Sequence, residues 1–282
     1  MMSTEPANEV LAAWETSSQY WTKHQSLIAA MFVPLTDALV ETAHIGPGQS
    51  VLDVGGGSGE PSLTIAAIVG QSGLVTYTDP SAGMVKAARD EADRQGFTNI
   101  RFHQCPAEQL PFPDSAFDGA VSRLAAMFFP NPTAGVREIL RVIKPGANLS
   151  FVVWADREVN PFFRIMTEIL EKFIPVEAED EDAPAAFRFA TPGKLARVLT
   201  DAGATSVSES TLKFKIEAPI TPARFWELRT EMSDTFRSKL AQLKLDQVAV
   251  IREAVQQAVA VYFETGAMSF PAQALIVSGQ KH

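Results

Sequence analysis

Over its first 45 or so residues the chain carries spaced apolar positions, Trp14, Tyr20, Trp21, Leu27, Ile28, Phe32 and Leu35, until IGPGQ (45–49) breaks the pattern. That spacing predicts a helical N-terminal cap. The short apolar run SVLDV (50–54) then opens a strict alternation. SLTIAAIV (62–69) reads as a helix, LVTYT (74–78) as a strand and SAGMVKAARDEADRQ (81–95) as a helix. IRFHQ (100–104) and FDGAVS (117–122) read as strands, PTAGVREILRVI (132–143) as a helix and NLSFVVW (148–154) as a fifth strand. Short apolar strands separated by helix-length segments predict a parallel sheet with crossover helices.

Past residue 155 the pattern loosens. NPFFRIMTEILEKFIP predicts a helix, and the acidic run EAEDED (177–182) a solvated loop. The segment 191–203 reads as a helix with Thr191 as N-cap, Pro192 at the first helical position and Gly203 as its stop. Residues 205–217 predict a strand, 221–265 one or two long amphipathic helices, and AQALIVSGQ (272–280) a closing strand. Because a long helical insertion separates the last two strands, a reversed final strand is expected as readily as a parallel one.

Composition narrows the class. With 46% hydrophobic and 20% charged residues, the 282-residue chain has enough apolar side chain for a real core, which excludes wholesale disorder. Its net charge of −9 repels phosphate backbones, so no nucleic-acid partner is expected. MMSTEPANEV lacks the basic and apolar regions of a signal peptide, and stretches such as LIAAMFV (27–33) are too short to span a bilayer. The expectation is a cytoplasmic protein with no membrane insertion. Cys105 is the sole cysteine, so neither an intrachain disulfide nor a paired-cysteine metal site is expected.

The chemistry concentrates in VLDVGGGSGEPSLTIA (51–66), where Asp53 ends a strand and Gly55, Gly57 and Gly59 follow before a helix. Glycines belong where a ligand approaches the backbone and the turn needs unusual dihedrals. Asp79 lies 20 residues after Gly59, at the end of the next strand, where a carboxylate can accept both hydroxyls of a ribose. Two cofactor classes use this layout. A nicotinamide site favours a third glycine one position later and a helix start free of acid. Here Asp53 and Glu60 flank the turn, which suits a cationic ligand better than a diphosphate.

With these residues, the chain resembles the class I S-adenosylmethionine-dependent methyltransferases. Residues 51–59 are similar to their first motif, and TDPSAGMVKAAR (78–89) to the segment carrying the ribose acid. The similarity continues through CPAEQLPFPDSAFDGAVSR (105–123) and FFPNPTAGVREILRVIKPGANLSFVVW (128–154), and is strongest toward the small-molecule branch that includes the ubiquinone and menaquinone biosynthesis enzymes.

The resemblance implies an α/β, Rossmann-like, mostly parallel seven-stranded sheet with a reversed last strand, helices on both faces and helical caps. It implies one domain over 1–282: a cap at 1–45, a cofactor core at 46–155, cap insertions at 156–190 and 219–266, and the rest of the core at 191–218 and 267–282. The implied cofactor is S-adenosyl-L-methionine and the implied partner a small organic acceptor, with a homodimer left open.

Site residues carry over by position. Gly55, Gly56 and Gly57 would line the methionine and ribose, with Asp53 turned toward the ammonium and Asp79 on the ribose hydroxyls. Pro80 and Met84 would flank the adenine, Ala107 and Glu108 would face its edge, and Ser122 and Arg123 would sit beside the methionine. Pro106 departs from the aspartate of many relatives. For a proton acceptor the candidates are Tyr20 and His24, ahead of His103 and Asp156, and Trp14, Tyr20 and Trp21 read either as an aromatic lid or as ordinary helix packing. Phe162, Phe163, Met166, Phe225, Trp226 and Phe263 read either as an acceptor pocket or as core. A nicotinamide-dependent oxidoreductase and a non-catalytic S-adenosylmethionine-binding protein remain as alternatives.

Overall fold

The computed structural model describes residues 5–174, 180–264 and 266–282. Three consecutive helices, α1 (Glu5–Lys23), α2 (Gln25–Met31) and α3 (Val33–Thr42), lead into β1 (Ser50–Val54). The alternation follows as α4 (Ser62–Val69), β2 (Leu74–Asp79), α5 (Ala82–Gln95), β3 (Ile100–Gln104), β4 (Phe117–Arg123), α6 (Pro132–Val142) and β5 (Ile143–Trp154). Next come α7 (Pro161–Leu170), α8 (Lys194–Ala202), β6 (Thr205–Ala218), α9 (Pro222–Met232), α10 (Asp234–Leu240), α11 (Leu245–Val259) and β7 (Met268–Gln280).

The strands of the described residues form one seven-stranded sheet in the order β3-β2-β1-β4-β5-β7-β6. The first five run parallel, and β7 is antiparallel to both β5 and β6. This is the expected α/β Rossmann-like sheet with a reversed last strand. Val51, Leu52 and Val54 of β1 are fully buried, as befits a central strand covered on both faces. From β1 the chain builds outward to β3 and then returns to β4 on the other side. That reversal opens a crevice at the carboxyl ends of β1 and β4, where open α/β sheets bind ligands.

Three local expectations are corrected. The segment after Thr191 turns before it coils: Gly193, at φ +81°, is the N-cap, and helix α8 begins at Lys194, so Thr191 is not the cap and Pro192 not the first helical residue. Glu209 on β6 explains the shift, because its carboxylate accepts the Gly193 N–H (2.9 Å). The 221–265 segment is three helices rather than one or two, broken where Ser233 adopts extended backbone and caps α10 by accepting the Phe236 N–H. The closing strand starts at Met268, four residues early, because Met268 to Pro271 pair with β6 beyond the end of β5.

Of the acidic run, Asp180 to Asp182 are described and lie outside any helix or strand, while 177–179 fall outside the described residues. No helix among the described residues is long and apolar enough to cross a membrane.

Candidate active site

β1 and β2 end side by side, Val54 against Thr78, and the glycine turn folds over their ends. Gly55 and Gly56 both donate their N–H to the Thr78 carbonyl (2.8 and 3.0 Å). A Cβ on Gly55 would collide with Ala125, and one on Gly56 with Tyr77, so these two glycines let the protein close on itself. Gly57 differs. It adopts φ +55°, and a Cβ there would meet nothing within 4 Å, because its face opens on a cavity of about 260 Å³.

Asp79 ends β2 on the floor of that cavity. Its Oδ2 accepts the Gly57 N–H (3.1 Å) and its Oδ1 the Ser81 N–H (2.9 Å). Burial pushes its pKa up to about 6, even against those two bonds. Asp53 lies beneath the turn with no exposure. Its Oδ2 accepts the Ser62 hydroxyl (2.6 Å), while its Oδ1 has no hydrogen-bond partner among the described residues. Burial lifts its pKa to about 7, although Ser62 and Arg123 pull the other way. Two acids poised near neutrality form a site whose charged state a bound cation or hydroxyl donor would favour.

Arg123 enters from the end of β4. Its Nη1 donates to Thr36 Oγ1 (2.7 Å) and its Nη2 to the Glu60 carbonyl (3.0 Å), so neither bond is to a carboxylate. Burial lowers its pKa, opposed by the charges of Glu60 and Asp53. On the opposite side Pro80, Met84, Ala107 and Glu108 line the same cavity. Glu108 Oε1 accepts the Asn131 N–H (3.0 Å), which leaves its second oxygen uncommitted among the described residues. The Cys105 thiol is pushed up to about 11 by burial and the Asp79 charge, which keeps it in the unreactive thiol form.

The roof comes from the N-terminal helices: Trp14 and Trp21 of α1, Ile28 of α2 and Phe32 at the α2–α3 junction. Trp14 packs edge-on against Trp21 (5.6 Å) and Phe128 (5.1 Å). Two anchors hold α1 in place. At one, Glu15 accepts the N–H groups of Ala82 (2.6 Å) and Gly83 (3.1 Å), capping the positive end of α5. At the other, Lys23 pairs with Glu231 (2.7 Å) and Glu227 (3.0 Å) on α9, and His24 Nε2 meets Glu231 Oε2 at 2.6 Å. An Arg224 N–H donates to His24 Nδ1 (3.2 Å), which leaves Nε2 as the ring's donor to Glu231.

Of the eleven residues carried over as cofactor-binding, nine surround one cavity: Gly55, Gly56, Gly57, Asp79, Pro80, Met84, Ala107, Glu108 and Arg123, joined by Trp14 and Trp21 of the expected lid. The other two, and the proton-acceptor candidates, do not reach its wall. Asp53 is held under the turn by Ser62. Ser122 points into the sheet packing, fully buried, because side chains alternate along β4 and Arg123 takes the open face. Tyr20 faces α10, its ring under the Arg237 guanidinium (4.6 Å), and His24 is 2% exposed within the α9 anchor. His103 packs edge-on against Phe112, and Asp156 accepts the Glu158 N–H, capping a short turn. Phe162 and Phe225 are fully buried core.

Glu15 and Thr36 escaped the sequence reading, whereas Glu60 was noted there only as an acid beside the turn. For Glu15 the one local sign was Gly83, since a Cβ there would collide with Ser18 and keep α1 off α5.

Residues 52–151 match the family model of the methyltransferase domain. A ubiquinone/menaquinone biosynthesis C-methyltransferase of Shewanella pealeana is 37% identical over 133 residues, 47% of this chain and 51% of that one. Residues 52–151 thus form a methyltransferase domain. An uncharacterized protein of Mycobacterium tuberculosis is 32% identical over 177 residues, 62% of each chain. These matches thus span about half to three fifths of the curated relatives. The crystal structure of the YcgJ protein from Bacillus subtilis has the same fold, with a TM-score of 0.57 at 20% identity over 88% of this chain and 97% of that one. The methyltransferase domain holds the floor of the cavity, from β1 into β5, while the roof of α1 and α2 lies outside it.

Proposed function

We propose that this protein transfers the methyl group of S-adenosylmethionine to a small organic acceptor, by in-line displacement without a covalent enzyme intermediate. The observation that carries the reading is the Gly57 face, open to the cavity and hydrogen-bonded to the Asp79 carboxylate beside it. When bound, the cofactor supplies a methyl group already activated on a sulfonium.

The chain's own residues do the rest. Asp79 would accept the ribose hydroxyls, and Gly57, whose face is open, would let the methionine lie against the backbone, with Gly55 and Gly56 shaping the turn beside it. Arg123, whose two bonds go to neutral oxygens, takes the methionine carboxylate. Asp53 acts from below the turn, its negative charge favouring the ammonium without touching it. Pro80 and Met84 hold the adenine faces, and Ala107 and Glu108 its edge. Trp14 and Trp21 would keep water from the bound cofactor and offer ring faces to its positive charge. Tyr20 and His24 position α1 through its anchors and take no proton from the acceptor. We read the whole chain as one domain, with its caps serving the cavity. The kinship with ubiquinone and menaquinone C-methyltransferases supports an organic acceptor.

Calorimetric titration with S-adenosylmethionine and with NADH tests the cofactor, and transfer from labelled S-adenosylmethionine over an acceptor panel tests the activity. Saturable binding of the first ligand and none of the second is expected. Binding of NADH alone would overturn the proposal, as would a panel that never yields methylated product.

A further inference from the structure

Tyr77 of β2 is a fully buried phenol two positions before Asp79. Side chains alternate along a strand, so Tyr77 and Asp79 emerge on the same face of the sheet. In register, Tyr77 lies between Asp53 on β1 and Phe102 on β3. Its ring packs on Phe102 (5.3 Å) and clusters with Val85 and Ala88 of α5. A phenylalanine would supply that packing without burying a hydroxyl, which destabilises unless it is hydrogen-bonded. The Tyr77 hydroxyl donates to the Gly57 carbonyl (2.5 Å). Burial, reinforced by the charges of Asp79 and Asp53, pushes the phenol pKa well above its usual value, so the group stays protonated and able to donate.

Gly57 is therefore held at both of its backbone polar groups by one strand. Asp79 accepts its N–H (3.1 Å), and Tyr77 donates to its carbonyl. At φ +55°, with no side chain of its own to lock it, Gly57 depends on those two bonds for the direction in which its open face points. Gly56 answers to the same phenol: a Cβ there would lie 2.4 Å from Tyr77 Cε2, so tyrosine at 77 demands glycine at 56. The two bonds differ in their exposure to a ligand. Asp79 lines the cavity, and any hydroxyl that draws on its carboxylate competes with the Gly57 N–H. Tyr77 is not part of the cavity wall, so its bond to Gly57 persists when the cavity fills.

We propose that Tyr77 is a positioning residue of the cofactor site, its hydroxyl fixing the Gly57 peptide so that the open glycine face meets the cofactor already aligned. The service to the cofactor rests on the methyltransferase reading; the clamp on Gly57 does not. The phenol acts only through Gly57 and touches neither cofactor nor acceptor. A face aligned before binding reduces the conformational entropy lost when the ligand arrives, and so tightens the complex without adding a contact to it.

The test compares the full chain with Tyr77→Phe, which keeps the ring and removes the hydroxyl. Calorimetric titration with S-adenosylhomocysteine is expected to show about tenfold weaker binding in the variant, in keeping with one lost hydrogen bond. Amide exchange should quicken at 55–58 and stay as in the parent along α5 and β3, where the ring still packs. A hydroxyl that merely satisfied a buried carbonyl would leave the affinity unmoved. In the unsubstituted protein the Tyr77 hydroxyl proton should exchange slowly and show Overhauser contacts to the Gly57 α-protons, with and without ligand, which decides the clamp even if the variant does not fold. Equal affinity in the two proteins, quickened exchange that spreads through α5, or absence of the hydroxyl contact would each overturn the proposal. A parent protein that shows the hydroxyl contact yet binds no S-adenosylhomocysteine would instead overturn the methyltransferase reading and leave the clamp standing.

Discussion

Asp79 accepts hydrogen bonds from two backbone N–H groups and stays buried at the end of its strand, which suits it to the proposed role on the cofactor and makes its ionised form costly in the ligand-free fold. Asp79→Ala should weaken S-adenosylmethionine binding by about 1–3 kcal/mol through lost charge-assisted bonds, with circular dichroism unchanged. Unaltered affinity in the calorimeter would remove Asp79 from the site. The two raised acids also set a pH dependence. Their neutral forms stabilise the ligand-free fold fully below the ordinary value of 3.8, and that contribution is lost as pH rises through about 6 for Asp79 and about 7 for Asp53. Melting temperature should therefore fall between about pH 4 and pH 7, and Asp53→Asn should flatten the fall; an unchanged slope in that variant would contradict it. These acids were legible because their chemistry is local, a carboxylate at a strand end beside glycines. The true surroundings of His24 were not, since Glu231, its partner, lies 207 positions away.

At the scale of the element, α1 is placed by contacts at both ends rather than by its own helical propensity. Glu15 serves as a cap for α5 supplied by another helix, an interaction worth about 0.3–1 kcal/mol at a helix N-terminus. Glu15→Gln should raise the KM for S-adenosylmethionine while leaving the sheet intact, and amide exchange should quicken in 5–23. Protection of α1 equal to that of the parent would show the cap to be idle. Gly83→Val should do more, because its side chain meets Ser18 directly and pushes the helices apart. Helices and strands 50–154 were readable from periodicity because each alternation closes within a few residues. The correction at Thr191 shows the limit: proline and threonine signalled a helix start correctly in kind, but a carboxylate on a later strand moved it to Lys194. The breaks among α9, α10 and α11 hide inside one amphipathic pattern, where serine at 233 gave the only local sign.

Over the whole molecule, the floor belongs to the sheet and the roof to the N-terminal helices, so neither half makes the cavity alone. Deleting residues 1–30 should leave a folded sheet, by the persistence of its far-ultraviolet spectrum, and abolish methyl transfer; a truncated protein with full turnover would return Trp14 and Trp21 to ordinary packing. The parallel core and the glycine turn followed from the alternation along the chain, while the reversed strand came from the family resemblance, because connection rules left its direction open. How the caps close could not, since that depends on pairings between α1 and helices some 200 positions later. The place of β7 between β5 and β6 has a consequence for biosynthesis. As the polypeptide leaves the ribosome, β6 emerges before the strand it needs on its inner side, and β5 waits beside an open gap. α9, which anchors the roof, also appears before the sheet beneath it is whole. For that interval the nascent chain holds two strand edges with no partner, and the natural route to the finished molecule is to keep them shielded until residues 268–280 slot between them.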